Sequence, residues 1–278
     1  MNALAPTHAR IGVHGIGHST ACEERPEDVD PTGRLDRLPS LIRVGVRAAR
    51  QAMNGAAGGD DIALVVATRH GAADDMARFL DGLSTRGHAR ADPFLFPNLL
   101  YNAVAGEIAI RAAIRGPNIT VTAGGTCGAS LLETALLLLH AGRARRVLAV
   151  SIEAGGTVLG TTYARLRRRG LARTGALSRV VPFAEDTASA LLLSAAAGDG
   201  IGVRRACTGY ASAESDFAAF IDQAGHGLDI VRVVHLDEET PVFLGRFLSA
   251  ARSLPEGRCG LVVHRAEDGG CGAVAFER

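Results

Sequence analysis

Two periods of apolar residues alternate along this chain, and each change of period falls at glycine or proline. Residues 62–68 (IALVVAT), 119–123 (ITVTA) and 147–152 (VLAVSI) are short runs rich in β-branched side chains. Such runs predict buried strands. Residues 40–53 (SLIRVGVRAARQAM) carry apolar side chains at helical spacing with arginines between them, which predicts an amphipathic helix. GAAGGDD (55–61) is the turn after it. ADPFLFP (91–97) predicts an extended, proline-bounded segment, and NLLYNAVAGEIAIRAAI (98–114) a helix. Residues 127–141 have leucine and alanine on every side and no proline, so this helix belongs inside a core.

The densest signal is Gly116–Glu153. A strand at 119–123 meets the turn Gly124–Gly125, Thr126 stands as N-cap, and the apolar helix follows. Arg143, Arg145 and Arg146 close the helix before the next strand. The result is a βαβ unit centred on a glycine turn at a helix N-terminus, where a nucleophile or an anion is well placed. Downstream, residues 155–178 are rich in Gly, Thr and Arg and predict a loop region. Residues 182–194 (PFAEDTASALLLS) run into an apolar strand. The segments 200–207, 229–236, 259–265 and 271–278 read as strands, with helices at about 214–224 and 243–254.

Composition narrows the function. The 278 residues are 47% hydrophobic, enough for a sizeable core in one large or two small domains. Formal net charge is +1, so nothing in the charge balance points to nucleic acid. Every basic side chain of the Lys/Arg class is arginine. Five cysteines, at 22, 127, 207, 259 and 271, form no CxxC pair, which indicates reduced thiols in a cytoplasm and no zinc site. No apolar run reaches the roughly 18 residues of a membrane span, and MNALAPTHAR lacks an apolar signal core.

Several motifs read as structural. IGVHGIG (11–17) has the spacing G-x-x-G-x-G and is followed by prolines 26, 31 and 39, so it is a strand ending in a glycine turn. His14 and His18 are four apart, but the glycines between them argue against a metal-binding helix face. Asp60–Asp61 lacks a further carboxylate nearby and reads as a solvated turn.

Residues 116–153 resemble the nucleophile region of the β-ketoacyl synthases of the thiolase superfamily. Gly116–Pro117, LETA (132–135), Gly142–Arg143 and VLAV (147–150) fall in register with that family's GP strand, buried helix and G-R-x-x-x-V-L strand. The proline-flanked segment and the N-x-x-A-x-x-I-A helix before the GP turn extend the resemblance. It implies an α/β thiolase-like fold, αβαβα in layers, of two related halves: residues 1–198, and a shortened second half at 199–278. It places Gly125 at the nucleophile position, with Cys127 two residues later. The family's H-G-T-G-T-P loop is HLDEETP (235–241) here, residues 241–258 hold no N-x-x-x-G-H, and the family lysine is absent. A decarboxylating condensation needs the thiolate and the enolate-stabilising donors together.

The chain is most similar to the Cys-less chain-length factors of type II polyketide and aryl-polyene systems. That similarity implies a non-catalytic partner of an active ketosynthase in a heterodimer. Acyl chains would arrive on the phosphopantetheine arm of an acyl carrier protein, with no other cofactor and no metal. Ile119 and Val121 would lie in the interface strand. Tyr101, Ala105 and Ile108, at i, i+4 and i+7, would form one face of the tunnel-floor helix. Arg165, Arg167, Arg168, Arg169 and Arg173 form a basic cluster suited to an acidic carrier protein. An alternative makes the chain an acyltransferase or thioester hydrolase. Cys127 would be its nucleophile, activated by the helix dipole, and His235 or His264 its base. A third reading is a free-standing homodimer that binds acyl thioesters.

Overall fold

In β2 (Ile62–Ala67) every residue is buried, because a parallel neighbour flanks it on each side and helices cover both faces. Those neighbours are β3 (Asn118–Val121) and β4 (Arg146–Glu153). In this computed structural model, residues 10–21, 35–169, 185–196, 200–236, 243–266 and 270–278 are described. β5 (Thr187–Ser194) runs antiparallel to β4 and to β1 (Ile11–Thr20). The second set is β6 (Gly202–Tyr210), β7 (Ile230–Leu236), β8 (Cys259–Arg265) and β9 (Gly270–Glu277). The whole order is β3-β2-β4-β5-β1-β6-β9-β8-β7.

The two sets repeat one scheme. β4–β5–β1 and β8–β9–β6 are antiparallel runs, and β2‖β4 and β7‖β8 are the parallel pairs. The first set adds β3 beyond β2, and the described residues put nothing beyond β7. Among the described residues the second set therefore has one strand fewer. β1 meets β6 only at Ile11–Val203 and Gly12–Gly202. Both strands then change register, at Val13/Gly15 and at Val203/Arg205, and each continues into its own sheet.

Helices fill three further layers. α1 (Ser40–Met53) and α3 (Ala103–Arg111) cover the outer face of the first sheet. α4 (Cys127–His140) and α7 (Phe243–Arg252) lie between the sheets, with Leu131, Leu132, Leu244 and Phe247 in one central core. α6 (Glu214–Gly225) covers the second sheet. The layering is α/β/α/β/α, and α4 is apolar all round because sheets face it on both sides.

The glycines of β1 do not end the strand. A Cβ on Gly15 or Gly17 would overlap the carbonyl oxygen of Ala52 or Ala48, so both glycines let α1 lie directly on the strand. His14 and His18 bond the hydroxyls of Ser194 and Ser189 on β5, at 2.8 and 3.0 Å. Ala73–Arg86 form a further helix, α2, beyond those the apolar pattern predicts. The 155–178 region is not all loop, because Thr157–Arg168 form helix α5. The helix expected over 98–114 is confined to α3. Phe96–Asn98 form a 3-10 turn around Pro97, and residues 99–102 are still turns.

Candidate functional site at the start of α4

The turn into α4 stands at the carboxyl end of β3, beside the carboxyl ends of β2 and β4. Open α/β sheets place their ligands at such an end. Gly124–Thr126 form a 3-10 turn, and the Thr126 hydroxyl donates to Ala123 O at 2.8 Å instead of capping α4. A Cβ built on Gly125 would lie 2.8 Å from Ala266 Cβ and 3.2 Å from His264 Cε1. Both contacts come from the end of β8, in the second half. One residue into α4, Gly128 sits against the Phe243 ring so closely that any side chain there would overlap it. A side chain at position 125 would need Ala266 to move.

Cys127 is the first residue of α4 and is buried. Its Sγ accepts the Ala123 N–H at 3.0 Å and donates towards Thr68 O at 3.5 Å. Burial pushes the thiol up to about 11, outweighing the Ala123 hydrogen bond. Burial thus works against the thiolate expected at this helix start. His235 is no partner for it. β7 is the strand at the other end of the sheet order, and the His235 ring faces outwards against Phe217 of α6 at 6.2 Å. Val234 and Leu236 face the central layer that holds Cys127. His264 is the histidine that reaches the turn, and it packs on Gly125.

A polar cluster lies beside Cys127. Glu153 at the end of β4 accepts the Arg69 N–H at 3.1 Å, and its other oxygen faces His70 Nδ1 at 3.4 Å. His70 Nε2 meets the Tyr163 hydroxyl on α5 at 2.8 Å. Burial raises the Tyr163 pKa, so the phenol stays protonated. Asp74 of α2 accepts the N–H groups of Thr157 and Val158 at 3.1 and 3.2 Å, which caps α5 from another helix. Sequence reasoning missed this cluster. Its one local signal is a charged residue, Glu153, closing the apolar run 147–152 of β4.

The other expected residues scatter. Tyr101 lies in the turn before α3, 48% exposed, and shares no helical face with Ala105 and Ile108. Those two are buried in the core against α1. The three therefore do not form one tunnel-floor face: Pro97 holds the preceding segment in a 3-10 turn and delays the helix start. Ile119 and Val121 are half-buried on β3, which among the described residues pairs only with β2 and leaves one edge open. Arg165, Arg168 and Arg169 are exposed at the end of α5, at i, i+3 and i+4. The side chain of Arg167, Arg173, and residues 237–241 of the HLDEETP loop lie outside the described residues. Among the described residues no three His, Cys, Asp or Glu side chains are grouped to hold a metal. No described helix is long and apolar enough to cross a membrane.

The family described as "Beta-ketoacyl synthase, N-terminal domain" matches residues 31–203, more than half the chain. The chain belongs to the β-ketoacyl synthase family. Among curated proteins, the 3-oxoacyl-[acyl-carrier-protein] synthase 2 of Synechocystis sp. is 27% identical over 168 residues, 53% of this chain and 40% of that protein. The synthase of the same name from Vibrio harveyi is 32% identical over 78 residues, 28% of this chain and 19% of that protein. The chain thus spans well under half the length of these curated relatives. Among solved structures, a chain of the ishigamide ketosynthase/chain length factor superposes with a TM-score of 0.74 at 16% identity, covering 96% of this chain and 99% of that one. A chain of the ketosynthase (ApeO) in complex with its chain length factor (ApeC) from Xenorhabdus doucetiae gives 0.62 at 17%, covering 98% and 100%. These likenesses show the thiolase-like ketosynthase fold.

Proposed function

We propose that this chain is the non-catalytic, chain-length-factor-like partner of an active ketosynthase in type II polyketide, polyene or fatty acid elongation. The observation that carries the reading is the crowding at Gly125, where any side chain would meet Ala266 and His264; in this reading that is the family's nucleophile position. The buried, proton-holding Cys127 supports it.

A surface suited to pairing supports the partner half of the reading. Among the described residues β3 has an open edge, and exposed apolar residues stand on the helices at either side of it. They are Ile110 on α3, 76% exposed, and Leu137 on α4, 63% exposed. Phe94, Phe96 and Leu100 expose further apolar surface. An open strand edge with apolar flanks is an aggregation hazard unless a partner covers it. In this reading the edge, with Ile119 and Val121, pairs with a ketosynthase in the cytoplasm. Acyl chains arrive on the phosphopantetheine of an acyl carrier protein, and Arg165, Arg167, Arg168 and Arg169 draw that acidic protein in.

Co-expression with a complete ketosynthase from the same source tests the pairing. A stable one-to-one complex, active in elongation only when both chains are present, is expected. A ketosynthase that elongates equally well without this chain contradicts the proposal.

A further inference from the structure

α1 and α3 end side by side at the amino end of the first sheet, opposite the turn into α4. Between their last turns lies a cavity of about 250 Å3. Val46, Ala49 and Met53 stand at i, i+3 and i+7 on one face of α1 and line it together with Ile108 of α3. All four are buried. Ala56 and Ala112, both half-buried, close one end. A Cβ on Gly58 would overlap the carbonyl oxygens of Ala112 and Ala113, so the turn after α1 seats directly on the end of α3. The chain leaves α3 through Ala113 at φ 52°, a left-handed conformation that glycine usually takes at a helix end. This costly backbone stands at the rim of the cavity.

The polar groups around the cavity are engaged or stand in water. The carbonyls of Arg50 and Met53 in α1, and of Ile108 and Ala109 in α3, already accept backbone N–H groups. Arg111 gives its Nε–H to Glu107 at 3.1 Å, and Arg50 is exposed at the mouth. The interior is therefore left to aliphatic side chains. We propose that this cavity is a binding site for a neutral, apolar molecule of roughly ten non-hydrogen atoms, the size obtained by scaling from the benzene that fills an apolar cavity of about 150 Å3. Burial of apolar surface drives such binding without a polar partner. A charged group would lose its water there and find no counter-charge inside. Met53, unbranched and polarizable, adapts the wall to the occupant. This inference concerns a small-molecule site on the chain itself and does not depend on the ketosynthase pairing.

NMR titration of the full chain, labelled at its methionine methyl groups, with indole tests it. The chain has three methionines, at 1, 53 and 76. The Met53 signal is expected to shift saturably under the ring current of the bound indole, while that of Met76 on α2 stays in place. Ala112→Leu, which fills the closed end, is expected to weaken indole binding by about tenfold or more. In the wild type, indole-3-carboxylate is expected to bind about tenfold or more weakly than indole. The absence of a saturable Met53 shift overturns the proposal, as does an equal midpoint in wild type and Ala112→Leu. Carboxylate binding as tight as indole overturns the neutral assignment. If Ala112→Leu does not fold, the wild type alone decides: indole must show a nuclear Overhauser contact to the Met53 methyl, and its absence overturns the site.

Discussion

Ala266 fills the space that a side chain on Gly125 would need, its Cβ only 2.8 Å from the position a Cβ on Gly125 would take. The two residues are 141 positions apart in the chain, so the end of β8 closes over the turn that starts α4. His264 adds its ring edge to the same closure.

Restoring a cysteine is therefore predicted to fail. Gly125→Cys and Gly125→Ala are expected to destabilise the chain by about 1–3 kcal/mol, the usual cost of overpacking a filled core. Thermal unfolding checks this. A Gly125→Ala variant that melts with or above the wild type contradicts the closed geometry.

Cys127 is predicted to be inert towards alkylation in the folded chain, because its thiol is buried and keeps its proton up to about 11. Iodoacetamide at pH 8, read by peptide mass, is expected to modify it only after denaturation. Fast modification of the native chain would reopen the acyltransferase reading.

The same burial gives a pH dependence. Cys127 and Cys207 both have native pKa values raised from 9.0 to about 11, so the native chain holds these protons longer than the unfolded one. Stability from this source is complete below about pH 9 and is lost as pH climbs towards about 11. Denaturant titrations across that range are expected to show falling stability, with a shallower slope in Cys127→Ala. An unchanged slope would sink the assignment.

Tyr163→Phe removes a polar tie that holds α5; Asp74 supplies another at its N-terminus. The loss is predicted at about 1 kcal/mol, typical of one hydrogen bond. Hydrogen exchange of the α5 amides is expected to accelerate while that of α4 does not change. Equal protection in variant and wild type would show that the tie is idle.

The pattern of the chain foretold what local periodicity controls. β2, α1, α4 and β4 are read directly, because their core-facing residues are contiguous or helically spaced. α2 was legible in hindsight: Met76, Phe79, Leu80 and Leu83 stand at i, i+3, i+4 and i+7, though acidic and basic residues interrupt them. α5 was hidden by its glycine, its threonines and its arginine run, and it is held by ties to Asp74 and His70 rather than by a broad apolar face. The site was less legible still. His70 meets residues 83 and 93 positions away, and Gly125 is closed by residues of the last strands. Only the fold brings these together.

Charging the flanks of β3 is predicted to separate pairing from folding. Ile110→Lys and Leu137→Lys replace exposed side chains, so each is expected to change stability by no more than about 0.5 kcal/mol. Both are expected to abolish co-purification with a ketosynthase. Retained pairing with both lysines present would move the interface away from β3.

The most direct measurement is the intact mass of both chains after the co-expressed pair is incubated with acyl- and malonyl-loaded carrier protein. The account predicts an acyl adduct on the ketosynthase alone and none on this chain. An adduct on Cys127, abolished by Cys127→Ala, would contradict it and make this chain the acyl-transferring subunit.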